Sequence, residues 1–295
     1  MTQVAITYTF LVLVWGSTWI AIKFQLGEVP PEVSIFYRFL LSSCILIFWC
    51  KYKKQSLKFN LKEHLILFSL GLFLFSANYL LIYHATSYLI TGLVSVIFSM
   101  ASLLNIFNNA LFFREKPQNK IILASLLGFG GVISIFWSEI VNLTTESQVV
   151  LGIGLSFLGT FSFSLGNIIS KKTQQKGLLL IPTTAMAMCY GTVLVFGYLL
   201  FSNIPLSWSN HPIYITSLLY SSIIGSVVAF LYYFKLVGQI GPEKAGYITV
   251  LMPIVALFIS NLFEGYKWKA TDLLAFTMIF SGNFLLLSRK PVRKF

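Results

Sequence analysis

One arginine stands in a stretch of chain that is otherwise apolar or hydroxylic. Arg38 lies in FYRFLLSS, residues 36–43. A guanidinium stays charged at physiological pH, and its planar fork of N–H donors fits a carboxylate or a phosphate. In the middle of a membrane helix, such a charge costs about 2.5–3.5 kcal/mol on insertion scales. The alternatives for Arg38 are a structural ion pair with Glu264 or Asp272 and a role in an external gate or in substrate binding.

Polar side chains recur at helical spacing in two other apolar segments. Steps of three or four residues place them on one face of a helix. Because hydrocarbon offers no hydrogen bonds, such a face is expected to point at the interior of a bundle or at a wet cavity. The two polar faces predict either the lining of one pathway or hydrogen-bonded contacts between helices. The residues are Ser95, Ser99, Ser102, Asn105 and Asn109, then Ser156, Thr160, Ser164, Asn167 and Ser170.

Aromatic and amide side chains within apolar segments are further candidates for the lining. Trp15 and Trp19 share a helix face with Thr18 close by. That face predicts either a flat surface for an apolar or aromatic substrate or a packing surface. Tyrosines in mid-segment need a hydrogen-bond partner when they are buried. The remaining candidates are Asn78, Tyr79, Tyr83, Tyr220, Tyr232 and Tyr233.

Pro253 and Glu264 are candidates for a hinge and a gate. Pro253 lies near the centre of an apolar segment, where it removes a backbone hydrogen bond and frees the carbonyl of Thr249. The kink predicts a hinge or a substrate contact, with plain packing as the alternative. Glu264 follows the end of the same segment, and we expect it at the external gate with Arg38.

The composition is that of an integral membrane protein. Hydrophobic residues make up 57% and charged residues 10% of the 295 residues, which leaves too little polar surface for a water-soluble globule. A spanning helix needs about 20 apolar residues. Continuous apolar runs of this length predict an all-α bundle, since barrel strands alternate. The ten predicted spans are 5–22, 32–50, 63–84, 87–112, 120–138, 149–170, 179–202, 211–235, 243–263 and 268–287.

The distribution of Lys and Arg predicts the orientation of the spans. With the N-terminus inside, nearly all of the 21 basic residues face the cytoplasm, as basic residues near helix ends usually do. Only Lys23, Lys267 and Lys269 fall in external connections. We therefore expect a multi-pass protein of the plasma or inner membrane with both termini cytoplasmic. The basic clusters are interpreted as topogenic and not as a nucleic-acid surface.

The ten predicted spans divide into two halves of five. Because five is an odd number of spans, the second half would enter the membrane from the opposite side to the first. A shift of 151 residues brings Pro31 onto Pro182. Inverted repeats of this kind are common in secondary transporters, which bind substrate near the bilayer midplane. The predicted units are a first five-helix repeat at 1–138, an external linker at 139–148, a second repeat at 149–290 and a cytoplasmic tail at 291–295.

Four short motifs in order resemble signature stretches of the EamA family of the drug/metabolite transporter superfamily. They are WGSTWIAIKF at 15–24, PPEVSIFYRF at 30–39, SLGNIISKK at 164–172 and ITVLMPIVALFISNLFEGYKW at 248–268. The resemblance implies ten transmembrane helices in two inverted repeats and secondary transport of small metabolites, often outward. The family commonly has a proline in the fourth helix, where this chain has Ser102. That departure argues against equal kinking of the fourth and ninth helices.

The sequence lacks the usual motifs of enzymatic catalysis. There is no HExxH, no GxSxG and no cluster with metal-ligand spacing. There is also no P-loop, so ATP is not expected as the direct energy source. We expect no enzyme activity, no cofactor and no metal site. Proton coupling would have to use Glu264, Asp272 or His84 near the external side.

These features predict a secondary transporter that exports a small neutral or zwitterionic metabolite, an amino acid or an amphiphilic drug-like compound, by alternating access. An exchanger of organic anions or nucleotide sugars on the same fold is the second hypothesis, which several cations on the cavity wall would favour. An intramembrane enzyme is the third, and it lacks the motifs named above. A channel or a passive scaffold is a further alternative. The expected partners are the small-molecule substrate and the lipid bilayer, without nucleic acid. The sequence leaves the oligomeric state open.

Overall fold

The computed structural model describes residues 2–114, 119–141 and 147–287. These residues form ten helices in sequence order, joined by short connections, without a strand among them. Residues 142–146 of the predicted linker and the predicted tail, 291–295, lie outside the described residues. The helices are α1 Thr2–Lys23, α2 Pro31–Tyr52, α3 Leu61–Ala85, α4 Thr91–Phe113, α5 Asn119–Val141, α6 Ser147–Gln175, α7 Leu180–Phe201, α8 Pro212–Ile240, α9 Pro242–Gly246 continuing as Ile248–Phe263, and α10 Ala270–Leu287.

By length and composition, most of these helices can cross a membrane. Among the described residues eight helices qualify, namely all except α5 and α10. Those two contribute shorter apolar stretches, Ile122–Gly131 and Thr271–Gly282. The chain is therefore an all-helical, multi-span membrane protein, as its composition predicted. The ten-span inverted arrangement stays a prediction.

The helices pack chiefly across the two halves of the chain. Helix α1 packs against α9, α3 against α6, and α3 also against α7. A pseudo-twofold axis would relate each helix to the one five places later, so that α1 corresponds to α6 and α3 to α8. It would convert the three pairs above into α4–α6, α1–α8 and α2–α8, and these three pairs are also in contact. The pairs α2–α7, α4–α9 and α5–α10 map onto themselves and are also in contact. This pattern of contacts is the one expected for two five-helix units around a pseudo-twofold axis.

Two helices contain a π-helical segment. One is Gly71–Ala77 in α3, and the other is Ile223–Val228 in α8. Moving the first by the 151-residue repeat shift would place it at 222–228, in register with the second. Short π segments inside α-helices are rare and occur frequently at functional sites. Both of these segments lie in the middle of helices that border the site described below.

Helices α4 and α9 are each interrupted by a tight turn. In α4 the turn is at Ser99–Met100, where the backbone N–H of Ser99 is shared between the carbonyls of Ser95 and Val96. In α9 the turn is at Tyr247, whereas the helix Ile248–Phe263 continues through Pro253. The break in α9 is thus six residues before the predicted position. The turn in α4 also forms without the proline that the resemblance implies, so both helices are interrupted after all.

Candidate substrate site

A small cavity lies inside the bundle, between helices of both halves. Its volume is about 50 Å³, which accommodates one or two water molecules. Six predicted site residues line it, namely Trp15, Thr18, Trp19, Arg38, Asn78 and Tyr79. Ile22, Ile82, Phe98, Phe163, Phe230 and Met252 complete the wall. Six of the predicted site residues therefore line one cavity, which is too small for a metabolite in this structure.

Arg38 carries the charge on the wall of this cavity. Its side chain is only 1% exposed, so it does not reach up to the membrane surface. Nε donates to the Ser226 hydroxyl at 2.9 Å, Nη1 to the Tyr83 hydroxyl at 3.2 Å and Nη2 to the Tyr79 hydroxyl at 3.4 Å. The guanidinium carbon also lies 4.6 Å from the centroid of the Tyr79 ring, a cation–π contact. All of these partners are neutral.

Neither of the acidic partners predicted for Arg38 reaches it. The Glu264 carboxylate accepts hydrogen bonds from the hydroxyls of Thr91 and Ser260. Asp272 accepts from the Tyr266 hydroxyl and from a backbone N–H. Within the described residues, no carboxylate lies at salt-bridge distance from the guanidinium, so the structural ion pair is not formed. Because a buried charge without a counter-ion is costly, the site is electrostatically suited to an anionic group.

The residues behind Arg38 close the cavity towards the predicted external side. Tyr83 accepts from Arg38 and donates to Oε1 of Gln25 at 3.2 Å. The Gln25 amide in turn donates to the Ser221 hydroxyl, also at 3.2 Å. Tyr83 is therefore not on the cavity wall but supports the guanidinium from behind. The chain of hydrogen bonds holds α2, α3 and α8 together with the loop after α1.

Trp19 lines the cavity and carries a buried hydrogen-bond donor without a partner among the described residues. Its side chain is 5% exposed and lines the wall, yet its indole N–H has no partner among the described residues. Trp15 differs, because its indole N–H donates to the carbonyl of Gly225 at 3.2 Å. A buried N–H without a partner costs roughly 1–3 kcal/mol. An acceptor atom on a bound ligand would remove that penalty.

Aromatic rings form most of the rest of the cavity wall. The Trp15 ring centroid is 5.3 Å from that of Phe230, and the Trp19 centroid is 5.6 Å from that of Phe98. Asn78 adds a polar group, since its amide donates to the carbonyl of Gly159 at 2.8 Å and leaves its own carbonyl as an acceptor. The wall combines cationic, donor, acceptor and π surfaces around one space.

The two predicted polar faces meet each other instead of the cavity. Asn167 of α6 donates to Oδ1 of Asn105 at 3.2 Å, and Asn105 of α4 donates to the carbonyl of Pro242 at 3.3 Å. We call Asn105, Asn167 and the Pro242 carbonyl the amide cluster. It joins α4, α6 and the start of α9, on the predicted cytoplasmic side of the cavity.

Four more of the predicted residues are buried but do not line the cavity, namely Ser99, Ser102, Thr160 and Tyr233. The hydroxyls of Ser99, Ser102 and Thr160 donate to carbonyls of their own helices. The Tyr233 ring packs at 4.7 Å from the Trp15 ring, behind the wall. In this structure the three hydroxyls are therefore satisfied within their own helices, and Tyr233 contributes a ring contact between α8 and α1.

Glu264 takes part in a separate contact between α4 and α9 at the opposite end. Besides the Thr91 hydroxyl, it accepts from the Ser260 hydroxyl at 2.6 Å. Ser260 also accepts from the backbone N–H of Gly92 at 3.1 Å. We call Thr91, Ser260 and Glu264 the outer cluster. With the amide cluster on one side and the outer cluster on the other, α4 and α9 are joined both above and below the cavity.

Besides the six apolar wall residues, the sequence patterns missed three residues that form hydrogen bonds around Arg38 and Trp15. Gln25 lies just beyond the first apolar span, in a segment interpreted as a loop. Ser226 and Gly225 lie in the π-helical segment of α8, whose widened turn is not visible in a 3.6-residue period. Of these three residues, only Gly225 could have been found from the sequence, because a lone glycine in an apolar segment often marks a close contact between helices.

Similar proteins agree with this architecture. The chain is 24% identical to "Uncharacterized transporter YoaV" of Bacillus subtilis (strain 168), covering 97% of both chains. It is 22% identical to a "Probable amino-acid metabolite efflux pump" of Escherichia coli (strain K12), covering 93% of this chain and 91% of that one. A crystal structure with 14% identity has the same fold, with a TM-score of 0.75 over 98% of this chain and 99% of that chain.

The fold, the enclosed site and these relatives define a multi-pass transporter of the drug/metabolite superfamily. The EamA-like transporter family model matches residues 4–137 and again residues 150–288. The chain therefore belongs to the EamA-like transporter family.

Proposed function

We propose that this protein exports a small neutral or zwitterionic metabolite, and that a zwitterionic amino acid fits the site best. One observation carries the proposal. The fully buried guanidinium of Arg38 borders an aromatic cavity and has only neutral partners among the described residues. A site of this kind attracts a carboxylate, and its charge is then compensated by the substrate.

The two ends of an amino acid find different partners in this site. Its carboxylate meets the Arg38 fork and the unpaired N–H of Trp19, since both side chains line the cavity. Its ammonium group is attracted by the faces of Trp15 and Tyr79 and by the carbonyl oxygen of Asn78. The apolar remainder of the wall then suits an aromatic or aliphatic side chain.

The small volume of the cavity supports transport by alternating access. A space of about 50 Å³ cannot admit a metabolite until one side opens. Three observations support two inverted five-helix repeats: the cross-half packing, the two π segments and the double family match. In this proposal the halves rock around Arg38, which remains near the midplane.

The proposed orientation places both termini in the cytoplasm of a plasma or inner membrane. It rests on the excess of Lys and Arg at the end of the bundle where α1 begins. The outward direction is supported by relatives whose names describe amino-acid metabolite efflux. Coupling to an ion gradient is outside the proposal.

The test is counterflow in proteoliposomes, with a panel of radiolabelled zwitterionic amino acids and organic anions. We expect saturable exchange for at least one apolar or aromatic amino acid. Blocking either its carboxylate as an amide or its amine as an acetamide should abolish exchange.

Trp19→Phe keeps an aromatic ring but removes the free donor, and it should weaken substrate binding about tenfold. Efflux from cells with and without the protein then tests the direction, and uptake alone would contradict export.

An exchanger of organic anions is the second candidate. It is favoured by the absence of a carboxylate from the described cavity wall, which gives the empty site a net positive charge. The same panel separates the two, because an anion exchanger should accept the N-acetylated amino acid and a zwitterion carrier should reject it.

A further inference from the structure

A groove on the outside of the bundle takes no part in the site described above. It lies between α3, α4 and α6, at the end where α3 begins and where α4 and α6 finish. Its volume is about 660 Å³, more than ten times that of the central cavity. The walls are largely apolar and include Leu65 and Phe73 of α3, Phe112 and Phe113 of α4, and Ile168 and Ile169 of α6.

Two lysines form the polar head of this groove. Lys172 and Lys176 line it together with Gln175. Lys176 directly follows the end of α6, and its backbone N–H donates to the carbonyl of Lys172 at 3.2 Å, which keeps the two lysines on the same side. Both are exposed, and neither forms a salt bridge with a carboxylate in the described part of the chain. The groove therefore joins an apolar channel to an uncompensated positive charge.

Neighbouring charged residues have other contacts. Glu63, in the first turn of α3, accepts from the backbone N–H of Asn60 at 2.8 Å and completes a capping box. Lys171 donates to Asn109 at 2.7 Å, and its Nζ lies 4.2 Å from the centroid of the Phe113 ring. Lys171 thus holds one wall of the groove in place. Its charge adds to the positive potential at the head.

The length of the groove matches one leaflet of a bilayer. Along α6 the lining runs from Leu165 to Lys176, a rise of roughly 16 Å at 1.5 Å per residue. The hydrocarbon core of a bilayer is about 30 Å thick, so half of it is about 15 Å. When the lysines lie at the level of the headgroups, the apolar walls therefore extend close to the midplane.

We infer that this groove binds an anionic phospholipid from the leaflet at that end of the bundle. The phosphate pairs with Lys172 and Lys176, and an acyl chain lies along α3 and α6. A net negative headgroup is required, because the choline of a neutral lipid cancels the charge of its phosphate. In the proposed orientation this is the cytoplasmic leaflet, which is rich in anionic lipid, and basic pockets between helices on that side bind such headgroups.

The bound lipid would contact the outer faces of α4 and α6, whose inner faces meet in the amide cluster. Its occupancy therefore stabilises the closure between these two helices on the cytoplasmic side. This role is independent of the identity of the transported substrate, and it holds even when the proposed substrate class is wrong.

The experiment measures which lipids stay bound to purified protein. The wild-type chain is reconstituted with equal parts phosphatidylglycerol and phosphatidylcholine, extracted in mild detergent and analysed by native mass spectrometry. We expect phosphatidylglycerol to be retained in excess. The Lys172→Ala/Lys176→Ala variant should lower the ratio of retained phosphatidylglycerol to phosphatidylcholine about fivefold or more, because each lysine near an anionic surface contributes roughly a factor of five.

A matched control removes the same charge elsewhere at the same end of the bundle. Lys51 and Lys58 are exposed and lie outside the groove lining, so Lys51→Ala/Lys58→Ala should leave the ratio unchanged. An equal loss in this control, or no headgroup preference in the wild type, would overturn the inference.

Two further arms test the acyl chain. Ile169→Trp fills the groove and should reduce retention of both lipids, whereas the lysine variant should still retain phosphatidylcholine. Excess glycerophosphoglycerol, which is the headgroup without chains, should not displace the lipid. If it displaces the lipid completely, the site is one for soluble phosphate and the lipid assignment fails.

Discussion

At the scale of single residues, Arg38 combines a fully buried charge with neutral partners. A lone arginine in an apolar helix predicts a costly charge with a partner. The partners found are hydroxyls and an aromatic ring, not an acid. Positions where a protein tolerates such a penalty are expected to be functional ones.

Replacing Arg38 should separate function from stability. Arg38→Met removes the charge, and the only group left without a partner is the Tyr79 hydroxyl, so the thermal stability should stay within a few degrees of wild type. Transport should fall at least tenfold. Arg38→Lys should also lose most transport, since it keeps the charge but lacks the fork of donors. The measurements are thermal unfolding in detergent and proteoliposome counterflow.

Lys58→Met serves as the control for Arg38, because it removes an exposed charge outside the site and should change neither measurement. Unfolding of Arg38→Met would indicate that the guanidinium is mainly structural. Full transport by the same variant would remove Arg38 from the site.

At the scale of the helices, the π-helical segment of α8 contacts two residues of the cavity wall. The segment in α8 presents the Gly225 carbonyl to Trp15 and the Ser226 hydroxyl to Arg38. A Cβ atom at Gly225 would lie 2.6 Å from Cγ2 of Thr18, well inside van der Waals distance. Glycine at this position therefore lets α1 and α8 come together at the site.

Gly225→Ala should destabilise the protein by about 1–3 kcal/mol, because the added methyl group is forced into Thr18. Thr18→Ser removes the clashing methyl but keeps the hydroxyl that donates to the Trp15 carbonyl. The double variant should therefore recover most of the loss in thermal stability. Gly154→Ala in α6 is the control, since a Cβ there meets no atom within 4 Å and should be neutral or slightly stabilising.

An unchanged unfolding temperature for Gly225→Ala would mean that α1 and α8 can separate without loss. A loss that Thr18→Ser fails to recover would place the cause in the π segment itself. Either result would contradict the steric account.

At the scale of the whole molecule, two polar contacts hold the cavity shut from opposite sides. The amide cluster joins α4 to α6 and α9, and the outer cluster joins α4 to α9. Tight turns interrupt α4 and α9 between these contacts. In the proposed alternating-access mechanism, opening to either side of the membrane would require one of the two clusters to separate.

A cross-link across the outer cluster should therefore block transport. The hydroxyl oxygens of Thr91 and Ser260 are 3.5 Å apart, so cysteines at both positions need only a small movement to reach the 2.05 Å of a disulfide. In a background with the three native cysteines replaced by alanine, oxidised Thr91→Cys/Ser260→Cys should lose exchange. A reductant should restore it. Transport by the fully cross-linked protein would show that this contact is not a gate.

The single variants Thr91→Cys and Ser260→Cys, treated with the same oxidant, control for the loss of each hydroxyl. Both should keep measurable exchange, because Glu264 retains one hydroxyl partner in each.

The sequence by itself determined the class of molecule and the approximate helix positions. Each apolar segment of about 20 residues must satisfy its backbone groups internally in hydrocarbon, and a helix does so using local information only. Local sequence was also enough to choose three candidate site residues, namely Arg38, Trp15 and Trp19. A mid-span charge or a face of aromatic rings is visible within one helix.

Only the tertiary structure decided which of these groups meet. A helical period assigns a residue to a face, but it does not say which helix covers that face. Thus Ser99, Asn105 and Asn167 pack between helices, whereas Arg38 meets Ser226, a residue 188 positions away. The π segments, the turn at Tyr247 and the closed volume of the cavity likewise depend on contacts between distant helices, so no local pattern could predict them.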